Sequence, residues 1–391
     1  MDFTKYRELF PVTRNWTYLI TGATAPLAKP VYQACADYLE ENSEQGFRYY
    51  SQIGEIIEKP KTLFSRIVNC DVSELAFVPN STHGINLVSQ MVRPKKGENV
   101  VICDLEYYGC AYPWLRTQLD GVEVRVAKSE KGRLPVENVE KLVDDNTRVV
   151  SIAQVCHSGF RQDLKSLSKL AHDHGAYMVS DAIGACGVVE VDVKQNQVDF
   201  LTTSSYKWLL GLQGGGFLYV RKGLVEQFDP PFPGSQATPS SNWAKLMLSP
   251  TWDKVNFPKS ATRYETGMPS IIAATSLVAS LKLLLKIGMQ NVAQRVSDLT
   301  QCVIDNMEKI GLEVITPVER NLRGGHVIVF MKNKKQASDV CASLFKKKIH
   351  VQSFVPFYGP KNGGLFIAPD FFNTEAEIES LAKRLAELVY D

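Results

Sequence analysis

Short β-rich runs alternate with helical patterns through the middle of this chain, and no other feature narrows its fold as much. Runs rich in Val, Ile, Leu, Phe and Tyr lie at 75–78, 99–103, 123–126, 149–153, 177–180, 200–203 and 216–220. Helical spacing of apolar residues fills several of the intervals, as at 85–91, 135–143 and 164–174. A strand–helix repeat of this kind closes into a mostly parallel sheet with right-handed crossovers. The expected fold class is therefore α/β, with that sheet at the centre of a large domain. Ligands of such sheets lie beyond the carboxyl ends of the strands, so the chemistry is sought just after each run.

The alternation breaks at 230–250, a stretch rich in Pro, Ser and Gly that reads as an irregular excursion, a lid or an interface loop. Beyond it the order changes to helix 292–310, strands 312–315 and 326–330, helix 337–347, strands 350–352 and 364–368, and helix 374–388. That order predicts a smaller α+β domain. At 391 residues the chain exceeds one small core. The expected division is an N-terminal segment, 1–20, packing with the small domain, a large domain over 21–262, and the small domain over 263–391. The most apolar segment, 271–287, is interrupted by Thr275, Ser276, Ser280, Lys282 and Lys286. It predicts a packed amphipathic helix rather than a membrane span.

A net charge of +2 gives no reason to expect nucleic acid or a membrane surface as partner, and a small molecule is the expected one. The first residues lack a basic stretch followed by an apolar one, so a cytoplasmic protein is expected. None of the eight cysteines forms a Cys-x-x-Cys pair or a cluster with histidine, which predicts reduced thiols and no metal site.

Four positions that follow strands converge on one chemistry. Ser81 and Thr82 open a helix after the 75–78 run, where backbone N–H groups and hydroxyls suit a phosphate. Tyr107 and Tyr108 follow the 99–103 run and offer a flat face for an aromatic ring. Asp181 ends the 177–180 run, where a buried carboxylate needs a cationic partner, a neighbouring side chain or a protonated ring nitrogen. Lys207 follows the 200–203 run between Ser204, Ser205, Tyr206 and the apolar Trp208, Leu209 and Leu210. Desolvation favours its neutral amine, which can attack a carbonyl. Amine, acid, phosphate cradle and stacking face are the parts that pyridoxal phosphate requires.

With these residues in view, the chain resembles the class V group of fold-type I pyridoxal-phosphate enzymes, which includes cysteine desulfurases and isopenicillin N epimerase-like proteins. The likeness runs through nearly the whole chain and is strongest at 81–88, 106–114, 176–181, 199–208, 263–269 and 372–377. It implies Lys207 as the Schiff-base lysine and Asp181 as the partner of the pyridinium. It also places Ser81, Thr82, Ser204 and Tyr206 at phosphate positions and Tyr107 at the stacking position. Tyr206 and Tyr107 both stand where relatives usually have histidine. His157 falls where an asparagine often reaches the cofactor's 3-hydroxyl. The resemblance further implies a homodimer with its active site at the interface.

The departures concern the trim and the substrate side. Gly184 replaces a usual glutamine, and Met268 a threonine that relatives extend across the dimer, with Thr266 a partial substitute. Phe366 stands where relatives that bind α-amino acids keep an arginine. The loop at 350–359, with Phe357, lacks the nucleophilic cysteine of desulfurases. Either Arg48, Arg161, Arg263 or Arg323 binds a substrate carboxylate, or the substrate is not a simple α-amino acid. Transamination of an amine or amino acid is the favoured outcome. Epimerisation and elimination of a β-substituent are the alternatives, and a non-catalytic cofactor-binding scaffold is the alternative of another class.

Overall fold

The computed structural model describes residues 1–48, 52–237, 256–354 and 363–390. All seven expected strands of the large domain form one sheet. In spatial order they are Leu75–Val78, Gly216–Val220, Phe200–Ser204, Tyr177–Asp181, Thr147–Ser151, Asn99–Cys103 and Glu123–Ala127. Only Gly216–Val220 runs against its neighbours; the other pairings are parallel. The interior strands are buried along their length, as apolar runs covered by helices on both faces must be. The strand expected at 149–153 begins two residues earlier, at Thr147. Beyond Ser151 the Ile152 and Gln154 N–H groups still donate to the Val179 and Asp181 carbonyls, which carries the chain to the rim.

The antiparallel strand decides where Lys207 lies. Reversing direction needs no crossover helix, so residues 205–215 fold back as a compact turn. Ser205 N–H donates to the Gly215 carbonyl, Gly211 N–H to Ser205, and Leu210 N–H to Lys207 itself. Leu210 takes a left-handed φ of 59° to close it. Lys207 is thereby fixed at the carboxyl end of the sheet.

The helix Ser81–Val92 covers the same edge, with the Asn80 side chain accepting the His83 N–H as its cap. At Gly84 a Cβ would lie 2.6 Å from Thr202 Cγ2, so glycine lets this helix sit directly on the sheet. The helix expected at 135–143 is confined to Val136–Glu140; the chain turns at Leu142, whose carbonyl accepts from Arg125.

The smaller domain is α+β. Strands Gln352–Phe354, Gly363–Ile367 and Val327–Met331 form an antiparallel sheet, packed by helices Met289–Lys309, Lys334–Lys346 and Glu375–Tyr390. Two expectations change here. No strand forms at 312–315, where Val314 makes a single bridge to Val329. The Ile328 N–H is taken by the Thr316 hydroxyl, and Pro317 follows with no N–H to offer. The run at 350–352 divides at Val351: Ile349–His350 pairs with Thr17–Tyr18, and Gln352–Phe354 joins the three-stranded sheet.

The N-terminal residues reach the last helix. Arg7 donates to Glu377 at 2.9 Å and to the Phe372 carbonyl at 2.7 Å, and Phe10 stacks on Phe372. Helix Ile271–Ile287 is packed in the interior, with Ala273, Leu277, Leu281 and Leu284 buried. Among the described residues no single helix is long and apolar enough to cross a membrane.

Candidate active site

The strands' carboxyl ends open onto a cavity of about 590 Å³ between the large sheet and the small domain. Ser81, Thr82, Tyr107, His157, Asp181, Ser204, Tyr206 and Lys207 all line it. The first turn of the Ser81–Val92 helix points its positive end at this space. Ser81 donates its N–H to Ser204 Oγ at 2.8 Å, which ties that helix to the end of the 200–204 strand. A Cβ on Gly109 would collide with Thr82 Oγ1, so glycine lets the Tyr107 segment close over the helix start.

Asp181 is buried at the end of its strand. Its Oδ1 accepts the Ile183 N–H at 2.8 Å, and its Oδ2 accepts from the Cys110 thiol at 2.8 Å. Burial raises its pKa, against the opposing pull of Cys110, Ile183 and the Lys207 charge. Lys207 is moved the other way. Burial lowers its pKa, and Asp181 and Cys110 offset part of that. A carboxyl group and an amine, each biased toward neutrality by burial, thus share one cavity.

The aromatic side chains form two stacks. Tyr107 and His157 lie parallel at 5.4 Å, and Phe354 continues the column at 5.5 Å from His157. A third ring between Tyr107 and His157 would need roughly 7 Å, so a ring stacked on Tyr107 takes its other face. His326 and Phe366 form the second stack, at 4.7 Å. Burial pushes His157 down to about 3 and His326 to about 4, with Lys207 acting in the same direction. Both imidazoles are neutral near pH 7.

Several residues here escape sequence reading. Glu106 is buried, accepts the Ala153 N–H at 2.9 Å, and is pushed up to about 8, chiefly by burial. Cys110 lies one turn beyond Tyr107, and both belong to the 106–114 block. The signal available was a glutamate three residues past the buried strand Asn99–Cys103, where a charge needs a reason to be. His326 and Phe354 come from the small domain and carry no local signal.

Glu106 has a measurable consequence. Its folded pKa of about 8 lies above the ordinary 4.5, so the folded protein holds a proton that the unfolded chain releases. That contribution is full below pH 4.5 and is lost as pH rises toward 8. Between pH 6.5 and 8 the wild type is expected to lose about 2 kcal/mol more stability than Glu106→Gln. Urea unfolding of both proteins across that range checks it; parallel curves would contradict it.

The four arginines proposed for a substrate carboxylate lie elsewhere. Arg323 donates to the Val318 and Ser297 carbonyls and to Thr300; Arg161 donates to the Glu190 carbonyl. Arg263 faces the Val225 carbonyl and Asp229, and Arg48 pairs with Glu41. None lines the cavity. Gly184 does line it, and a Cβ there would come within 2.9 Å of the Val155 carbonyl, which leaves no room for a glutamine on this backbone. Met268 is exposed, and neither it nor Thr266 is part of the cavity wall. Phe357 lies outside the described residues, as does most of the 230–250 excursion.

The family model for aminotransferase class V matches residues 17–361. The chain belongs to that family. An uncharacterized aminotransferase, YcbU, of Bacillus subtilis (strain 168) is 27% identical over 383 residues, which cover 98% of this chain and 97% of the relative. A probable cysteine desulfurase of Methanothermobacter thermautotrophicus is 27% identical over 399 residues, with the same coverage of 98% and 97%. The apo structure of a cysteine desulfurase from Thermococcus onnurineus NA1 matches with a TM-score of 0.87 at 23% identity, over 99% of this chain and 98% of that one. The cystine C–S lyase C-DES, solved with its product cysteine persulfide, matches with a TM-score of 0.84 at 17% identity, over 97% and 99%. At these identities the two structures establish the shared fold.

The residues of this class V chain fit pyridoxal phosphate. A helix start with Ser81, Thr82 and Ser204 suits the phosphate, Asp181 the ring nitrogen and Lys207 the aldehyde.

Proposed function

We propose that this class V protein is a pyridoxal-phosphate enzyme that cleaves a C–S bond by β-elimination from a small amine or amino acid. When bound, the cofactor supplies a carbonyl for the substrate amine and an electron-accepting ring. Ser81, Thr82, Ser204 and Tyr206 would hold its phosphate. Asp181, anchored by Ile183 and Cys110, would hold a proton on its ring nitrogen. His157, stacked on the face of Tyr107 away from that ring, would back Tyr107 rather than reach the ring's hydroxyl edge as the resemblance implied.

Lys207 Nζ, whose basicity is lowered by burial, takes the proton from the carbon beside the substrate nitrogen. The bond from the β-carbon to sulfur then breaks with its electron pair on sulfur. Lys207, now an ammonium, returns a proton to the departing thiolate. Hydrolysis of the remaining enamine yields a carbonyl compound and ammonia, so no oxidant or reductant is consumed.

The observation that carries this reading is the state of the two thiols in the cavity wall. Cys110 is bonded to Asp181 and its pKa is raised well above the ordinary value by burial. Cys156 is bonded to Ser158 and the Phe160 carbonyl and is pushed up to about 11, also chiefly by burial. A desulfurase needs a thiolate to receive sulfur, and the sequence at 350–359 holds no cysteine. Sulfur therefore leaves with its own substituent. The relatives named as cysteine desulfurases and the fold shared with a C–S lyase favour sulfur chemistry over the transamination expected from sequence. Transamination is the second reading, supported by the name of the Bacillus relative. A homodimer in a reducing cytoplasm completes the proposal: the family resemblance implies the dimer, and the free cysteines among the described residues fit reducing conditions.

Protein loaded with pyridoxal phosphate is incubated with β-thioether amines, with and without an α-carboxylate, and the products are separated. Thiol, ammonia and a sulfur-free carbonyl compound in equal amounts are expected. A keto or aldehyde product that retains its sulfur would establish transamination instead. Alanine with protein-bound persulfide, formed from cysteine in a parallel incubation, would establish desulfuration.

A further inference from the structure

The far wall of the cavity shows what part of a substrate it accepts. Phe366 is nearly buried on the Gly363–Ile367 strand, and its ring is locked between two neighbours. It stacks on His326 at 4.7 Å, and its tip lies against the Gly22 backbone, where a Cβ would lie 2.8 Å from Phe366 Cζ. The adjoining strand places Phe354 on the same side of the cavity, in the column with His157. Trp208, next to Lys207, closes the floor, and a Cβ on Gly325 would lie 2.8 Å from its ring. Among the described residues Lys207 is the only Lys or Arg in the wall, and the two imidazoles that face it are neutral near pH 7.

We infer that this wall is a subsite for an uncharged aryl or alkyl group, and that the enzyme selects amines whose reacting carbon carries no carboxylate. The inference rests on the reading that the cofactor is held at Lys207. A carboxylate delivered here would be desolvated with no fork of donors to receive it, and a buried unpaired charge is costly. An aromatic or branched alkyl group meets apolar and neutral aromatic side chains instead. The site that relatives give to arginine is filled by a packed ring, so no modest side-chain rotation restores a cationic pocket. In the sulfur chemistry proposed above, the preferred substrate is then a thioether amine with an apolar substituent rather than cysteine.

Phenethylamine and L-phenylalanine differ only in the carboxylate and contain no sulfur, so their binding is independent of the elimination step. Each is titrated into protein loaded with pyridoxal phosphate, and Kd is read from the visible absorption band. Phenethylamine is expected to bind at least about tenfold more tightly than phenylalanine. Phe366→Arg is expected to narrow or invert that ratio, and Phe366→Leu to keep its direction. Equal or tighter binding of phenylalanine to the wild type overturns the inference, whether or not the arginine variant folds. A folded Phe366→Arg protein with an unchanged ratio overturns it too. If no visible band forms with pyridoxal phosphate, the cofactor reading falls and takes this inference with it. A normal band followed by equal binding of the pair overturns this inference alone.

Discussion

Lys207→Ala is expected to lower turnover by at least about 10⁴-fold while leaving the protein folded. Two functions leave with one amine: the covalent anchor for the cofactor and the base that moves the substrate proton. The fold does not depend on that side chain. The turn that carries it is held by backbone bonds, including Leu210 N–H to the Lys207 carbonyl, and alanine keeps each of them. Burial already works against the charge of Lys207, so its removal relieves a desolvated cation. The variant's urea midpoint should therefore stay within about 1 kcal/mol of wild type, an ordinary figure for a change that opens no core cavity. Single-turnover spectra separate the two losses, because added methylamine can supply a base but not the anchor. Retention of more than a few per cent of turnover would show that another lysine serves.

Asp181→Asn should cost about 10–10³-fold in turnover, the range that follows from removing an opposite charge that shifts a neighbouring pKa by roughly 1–3 units. The substitution is close to isosteric, and the acceptor facing the Ile183 N–H can be kept. What is lost is the anion that keeps a ring nitrogen protonated. The amide also turns a donor toward Cys110, whose thiol now donates to Asp181 Oδ2. Cofactor should still bind, with its visible band displaced and its pH titration altered. Turnover within twofold of wild type would remove Asp181 from the chemistry and leave it a structural carboxylate.

The sheet was legible in the sequence because buried parallel strands must be apolar along their length. Each of the seven runs, from Leu75–Val78 to Gly216–Val220, entered it. What was not legible depended on partners distant in sequence. Thr17–Tyr18 is a strand only because Ile349–His350 lies beside it, and residues 312–315 are not one because the Thr316 hydroxyl takes the next ladder bond. Ser81, Thr82, Tyr107, Asp181 and Lys207 were legible through a topological rule, since each ends or follows a strand of the sheet at its carboxyl end, whereas His157, Ser204 and Tyr206 were assigned roles only by the family resemblance. Glu106 and Cys110 stood in view without a role, for their meaning lies in burial and in a bond to Asp181, 71 residues away for Cys110. The choice among four arginines could not be made from sequence at all. It turned on which guanidinium groups were already bonded to carbonyls and carboxylates away from the cavity.

Lys207 is expected to hold pyridoxal phosphate in this cavity. The most direct test is reduction of the loaded protein with borohydride, followed by peptide mapping by mass spectrometry. One phosphopyridoxyl group per chain is expected, on the peptide containing Lys207, and none in Lys207→Ala. A label on another lysine, or no label on a protein shown to be folded, would contradict it.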